Sequence, residues 1–108
     1  MINGGNLTMQ PFQIDIQETT LEIFCERNHI TRMAFYGSVL RDDFHADSDV
    51  DVLIAFDPDH VPGWEIVGII DELHHLLGRE VDVTTFDAIH PLLRDKILAS
   101  MRTVYERA

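Results

Sequence analysis

Gly37-Ser38 and, further along the chain, Asp49-Val50-Asp51 carry the residue types that metal-assisted phosphoryl chemistry uses. A Gly-Ser turn lets backbone approach a phosphate closely, and Ser38 with the amides that follow would hold phosphate oxygens by hydrogen bonds. Side chains alternate along a strand, so Asp49 and Asp51 share one face while Val50, Val52 and Ile54 take the other. The two acidic residues then stand roughly 7 Å apart at Cα. Like charges at that spacing repel, and Asp is a poor strand former, so a divalent cation is the direct way to compensate them. Asp82, within Val81-Asp82-Val83, repeats the pattern on a second predicted strand. If the strands are neighbours, three carboxylates converge.

Such a set suits Mg²⁺, which takes carboxylate oxygens together with water and substrate phosphates and needs no all-protein cage. A pair of such ions would activate an attacking hydroxyl and stabilise the pyrophosphate leaving group of a nucleoside triphosphate. Asp82, on the attacking side, is placed to accept the hydroxyl proton. Arg41 follows the turn directly and has two readings: a phosphate contact, or a brace to Asp43 or Asp47.

The elements that must position these groups are legible from periodicity. An amphipathic helix is expected from about Asp15 to Asn28, burying Leu21, Phe24 and Cys25, followed by a strand from about Arg32 to Tyr36. After the turn, Val39 to Phe44 reads as a short helix and Asp49 to Phe56 as a strand. The turn formers of Asp57 to Gly63 lead into a helix from about Trp64 to Leu77. Its stripe is Ile66, Ile69, Ile70, Leu73, Leu76 and Leu77, and Gly78 stops it. Trp64 is assigned to the core. A strand over Glu80 to Thr85 follows, then a helix from about Pro91 to Met101 burying Leu92, Leu93, Ile97 and Met101, with Arg94, Lys96 and Arg102 on a solvated face. A short edge strand over Thr103 to Tyr105 closes the chain. The fold class is α/β, a small mixed sheet with helices packed on it, in a single domain over residues 13–108 after a flexible segment 1–12.

Length and composition are consistent with that picture. With 108 residues the chain fits one module and leaves no room for a separate substrate domain. The formal charge of −11 opposes direct binding to nucleic acid or anionic membranes and favours a basic protein partner. No apolar run is long enough to span a bilayer, the first dozen residues lack a signal-peptide core, and the single Cys25 reads as a buried thiol, so a cytoplasmic location is expected. Asp47, Asp49 and Asp51 fall at positions one, three and five of a calcium loop. The pattern then fails, with Val52 where Gly is needed and Pro58 where Glu is needed. His74-His75 beside Asp71 lacks the further ligands of a transition-metal site.

The run from Gly37 to Ile54, GSVLRDDFHADSDVDVLI, closely resembles the signature of the DNA polymerase β-like nucleotidyltransferase superfamily, and more narrowly that of the minimal nucleotidyltransferases (MNT) encoded beside HEPN-domain toxins. Gly37, Ser38, Arg41, Ser48, Asp49 and Asp51 match that signature, and Asp82 matches its third carboxylate. Leu40 stands where Ala is common and Asp42 where Gly is common. The resemblance covers most of the chain and implies a nucleotidyltransferase fold with Asp49, Asp51 and Asp82 as metal-holding catalytic residues. It places Gly37, Ser38, Arg41 and Ser48 at the nucleotide. It further implies Mg²⁺-dependent transfer of AMP from ATP to a tyrosine of a cognate HEPN ribonuclease, in a hetero-oligomer where this chain is the antitoxin. Two alternatives remain open at this point: a non-catalytic module that masks the toxin, and an enzyme acting on a small molecule or an RNA end.

Overall fold

A computed structural model describes residues 6–9, 14–37 and 49–107. The strands are β1 (Asn6–Met9), β2 (Ile14–Gln17), β3 (Ile30–Tyr36), β4 (Val50–Phe56), β5 (Val81–Thr85) and β6 (Arg102–Glu106). The helices are α1 (Glu18–Arg27), α2 (Glu65–Leu77) and α3 (Pro91–Ser100). Four strands form one mixed sheet in the order β5-β4-β3-β6, while β1 and β2 pair separately as an antiparallel ribbon. The central pair β3 and β4 is antiparallel; β4 and β5 are parallel, joined by α2 as a helical crossover.

The period-two pattern of β4 decides the layering. Val50, Val52 and Ile54 are fully buried on one face with Met33 and Phe35 of β3, against Leu21, Phe24 and Cys25 of α1 and Ile69, Leu73 and Leu77 of α2. Leu53 and Ala34 point to the other face, where Ile89 and the later turns of α3, carrying Ile97, Leu98 and Met101, cover them. The expected α/β domain with helices on a small mixed sheet is therefore present, and β6 lies at the edge as anticipated.

Several boundaries and burials differ from expectation, each for a local reason. Residues Ile14–Gln17 form a strand where the start of the first helix was expected, because Ile14-Asp15-Ile16-Gln17 alternates with period two and buries Ile16. The segment 1–12, expected to be flexible, contains β1, whose Leu7 is the register partner of Ile16. Leu92 and Leu93 are 87% and 51% exposed instead of buried: the apolar periodicity runs the length of α3, but only its later turns meet the sheet. Trp64 is 91% exposed, not core. It lies five residues before Ile69, which places it about 140° around the helix from the buried stripe. The short helix expected over 39–44 lies outside the described residues.

Gly78 ends α2 in the left-handed conformation, φ 67°, and its N–H donates to the His74 carbonyl. His74 Nδ1 stands 2.8 Å from Glu80 Oε2, and His75 Nδ1–H donates to the Asp71 carbonyl at 2.8 Å, so both imidazoles are engaged on the helix surface as structural groups.

Cys25 is fully buried, and burial first, with the Glu26 and Glu22 carboxylates after it, pushes its thiol up to about 12 from 9.0. The neutral thiol is thus the folded form across the ordinary pH range. Because the folded value lies above the unfolded one, the associated stability is fully present below pH 9.0 and is lost as pH rises towards 12. Native protein at about pH 8 should resist a thiol-alkylating reagent, and urea-unfolded protein should label quickly. Equal labelling rates in the two states would contradict the burial.

Candidate active site

The site forms where the N-terminal ends of β4 and β5 lie side by side. Asp51 and Asp82 are direct register partners across this parallel pair, and the Val50 N–H donates to the Glu80 carbonyl at 3.0 Å just before it. Asp51 also faces Tyr36 across the antiparallel β3–β4 pair. Tyr36, Asp51 and Asp82 therefore form one row across three strands. The strands alternate so that this row lies on the face opposite Val50, Val52 and Val83, the face that α3 only partly covers. Asp49 and Asp82 are exposed and Asp51 is half-buried, so the carboxylates open to solvent while their strands are anchored in the core.

Gly37 closes one side of the site. It has a φ of 75°, a left-handed conformation that a side chain disfavours, and a Cβ there would collide with Asp51 Oδ2 and stand 3.2 Å from Asp51 Cγ. Glycine is required twice over, once by the backbone turn and once by the carboxylate packed against it. This contact joins the turn that was expected to hold phosphates to one of the carboxylates expected to hold a cation.

Tyr36 is a site residue that reading for motifs passes over. Its hydroxyl lies on the face of the sheet that Thr84 of β5 shares with Asp82. Burial, followed by the charges of Asp51 and Asp82, holds its phenol above the ordinary 10.0, the Thr84 hydroxyl opposing. The hydroxyl therefore stays protonated at the end of the row that Tyr36 shares with Asp51. The available signal was its position, immediately before Gly37 at the end of a buried strand.

The residues present fit a hard divalent cation. Asp49, Asp51 and Asp82 offer oxygen donors alone, two of them brought into register on adjacent strands, and Gly37 leaves room that a Cβ would fill. Among the described residues no group of three His, Cys, Asp or Glu stands in ligating geometry. The expected convergence of all three carboxylates is therefore not present among the described residues, where Asp51 and Asp82 are the pair in register. Ser38, Arg41 and Ser48 lie outside the described residues, as do Leu40 and Asp42.

Two substitutions test this geometry. Gly37→Ala should weaken binding of a Mg²⁺-nucleotide by about tenfold or more and cost about 1–2 kcal/mol of stability from the left-handed backbone. Isothermal titration with a non-hydrolysable ATP analogue and urea unfolding measure the two effects, and wild-type nucleotide affinity in the variant would contradict the Asp51 contact. Tyr36→Phe keeps the packed ring and removes only the hydroxyl, so urea unfolding should show a loss of no more than about 1 kcal/mol with a cooperative transition retained.

Comparison with known proteins agrees with this arrangement. Residues 18–104 match the family described as "Nucleotidyltransferase domain". Over 72 residues the chain is 38% identical to the Methanocaldococcus jannaschii protein named "Putative protein adenylyltransferase MJ0435", spanning 67% of this chain and 76% of that protein. Among solved structures, one described as "Structure of putative minimal nucleotidyltransferase" superposes with a TM-score of 0.64 at 28% identity, covering 78% of this chain and 85% of the other. A second, described as a tri-AMPylated Shewanella oneidensis HEPN toxin in complex with MNT antitoxin, shares the fold. Its TM-score is 0.59 at 13% identity, over 82% of this chain and 69% of the other. The parallel Asp51–Asp82 register, the Gly37 turn against it and a family match spanning most of the chain lead to one assignment: the protein belongs to the nucleotidyltransferase domain family and is an enzyme of that class.

Proposed function

We propose that the chain transfers AMP from ATP, with Mg²⁺, to a tyrosine hydroxyl of a HEPN ribonuclease and so acts as its antitoxin. The observation that carries the reading is the pairing of Asp51 with Asp82 across β4 and β5, with Gly37 packed on Asp51. It is supported by the protein adenylyltransferase name of the M. jannaschii relative and by the likeness to an MNT antitoxin bound to an AMPylated HEPN toxin.

In this reading Asp49, Asp51 and Asp82 hold Mg²⁺, which when bound neutralises triphosphate charge and stabilises departing pyrophosphate. The chain's own groups perform the rest. Gly37 sets the turn, and Ser38, Arg41 and Ser48 bind and orient the phosphates. Asp82, exposed beside Asp51, takes the proton from the attacking hydroxyl. The acceptor oxygen forms a bond to the α-phosphorus, the bond from that phosphorus to the bridging oxygen breaks, and pyrophosphate leaves while the proton passes through Asp82 to solvent. Tyr36 stands in the same row as the register partner of Asp51.

Intact-mass analysis tests the proposal. The chain is mixed with ATP, Mg²⁺ and the HEPN-domain protein encoded beside its gene. An AMP-sized adduct should appear on a tyrosine of that protein and disappear with the Asp49→Asn, Asp51→Asn double variant, lowering the rate by on the order of 10³-fold or more. A partner that binds but gains no adduct would overturn the catalytic reading. Neutralisation retained by the double variant would show that masking, not transfer, silences the toxin. Removing Mg²⁺ with a chelator should abolish the adduct and its re-addition should restore it.

A further inference from the structure

The first turns of α2 are apolar on both sides of the helix. Ile69 and Leu73 are buried and Ile66 and Ile70 half-buried, yet on the outer face Trp64 is 91% exposed, Val67 64%, and Val61 in the preceding loop 67%. Gly68, beside Val67, has open space where a side chain would stand. A helix apolar around most of its circumference is ordinarily covered, and an exposed Trp flanked by Val is the composition of an interface anchor, not of a solvated face. Val61 also walls a groove of about 340 Å³ shared with Arg27, which is paired with Glu72, and with His60, Pro62, Glu65 and Ile69, and this groove could receive a side chain from outside.

Charge selects the occupant. From Asp42 to Gly78 the sequence contains no Lys or Arg. Asp57 is paired with Arg107 and Glu72 with Arg27, while Asp59, Glu65 and Asp71 are exposed around the apolar residues. A second copy of this chain would bring the same carboxylates against themselves, on a molecule of formal charge −11. A basic surface with an apolar recess is complementary on both counts.

We propose that Val61, Trp64 and Val67 form the docking surface for a basic protein partner; identifying that partner with the AMP acceptor rests on the function proposed above. The surface lies beyond the C-terminal end of β4, whereas Asp51 and Asp82 lie at the N-terminal ends of β4 and β5. Val61 and Trp64 lie about the length of β4 from Asp51, roughly 15–20 Å, while Val67 borders a pocket that also reaches Glu80 and Val81, on the sheet face opposite the carboxylate row. Docking here holds the partner without touching the reacting atoms, so its loss acts on acceptor affinity and not on the chemical step.

The test titrates the HEPN-domain protein encoded beside the gene into wild type, Trp64→Ala and Val67→Ser without ATP, at low and high salt. AMP transfer at saturating acceptor, urea midpoints and sedimentation of each chain alone are measured beside it. The expected result is a Kd at least about tenfold weaker for Trp64→Ala, several-fold weaker for Val67→Ser, a wild-type affinity that falls with salt, unchanged urea midpoints and a near-wild-type rate at saturation. Should Trp64→Ala fail to fold, Val67→Ser decides alone. Variant Kd values within about twofold of wild type, or no wild-type binding at all, would overturn the docking surface. A wild-type dimer that Trp64→Ala converts to monomer would assign the face to a second copy and overturn it as well. If wild type transfers no AMP while Trp64→Ala still weakens the complex, the catalytic proposal fails and the docking surface stands.

Discussion

The parallel register that sets Asp51 opposite Asp82 is the constraint on which the rest of the structure depends. Two carboxylates at adjacent strand positions repel, and nothing in their own chemistry would bring them together. The cost is met on the other face of the same strands, where Val50, Val52 and Ile54 are sealed against α1 and α2. Burying a side chain of this kind contributes about 1.5–3 kcal/mol each. Alternation makes that burial and the carboxylate row inseparable: shifting β4 by one residue would move its valines to the open face and its aspartates into the core. The fold therefore holds a charged row that would otherwise separate, and it is poised to gain from a cation bound there.

Connection and capping serve the same register. Parallel strands need a crossover, and α2 supplies it between β4 and β5 before Gly78 turns the chain back to Val81. On the far side β3 and the turn after it present Tyr36 and Gly37 to Asp51, one as its register partner and the other as a turn with no side chain to displace the carboxylate. Three strands thus contribute to one row, and each contribution is fixed by a hydrogen-bonded partner in the sheet. The exposed apolar face of α2 begins beyond the C-terminal end of β4, on the sheet face away from the carboxylate row.

Much of this was legible in the sequence because it follows from period and composition. The Val-Asp-Val repeats at 50–52 and 81–83 declared two strands with carboxylates on the face away from the core. The turn formers and the Ile-rich stripe between them marked a helix joining the two strands, while their parallel adjacency is what the sheet itself supplies. What escaped depends on how elements meet. Periodicity marks a stripe on α3 but not how far the sheet extends beneath it, so Leu92 and Leu93 were assigned to the core and are exposed. Trp64 was assigned inward on its apolar character, although its angular position places it outward. The contact between Gly37 and Asp51 and the pairing of Tyr36 with Asp51 join residues distant in sequence, and spacing alone carries no signal for either. The short strand over Ile14–Gln17 was masked by its continuity with α1, where helical and alternating patterns overlap.

The most direct measurement of the central claim is paramagnetic broadening of backbone amide resonances by Mn²⁺ in the presence of a non-hydrolysable ATP analogue. If Asp49, Asp51 and Asp82 hold the cation, the amides of Gly37, Val50, Asp51 and Asp82 should broaden first, while those of Val61 and Trp64 beyond the C-terminal end of β4 remain sharp. Asp51→Asn should remove the effect. Broadening centred instead on Asp57 and Asp59, or broadening at β4 and β5 that survives Asp51→Asn, would contradict the account.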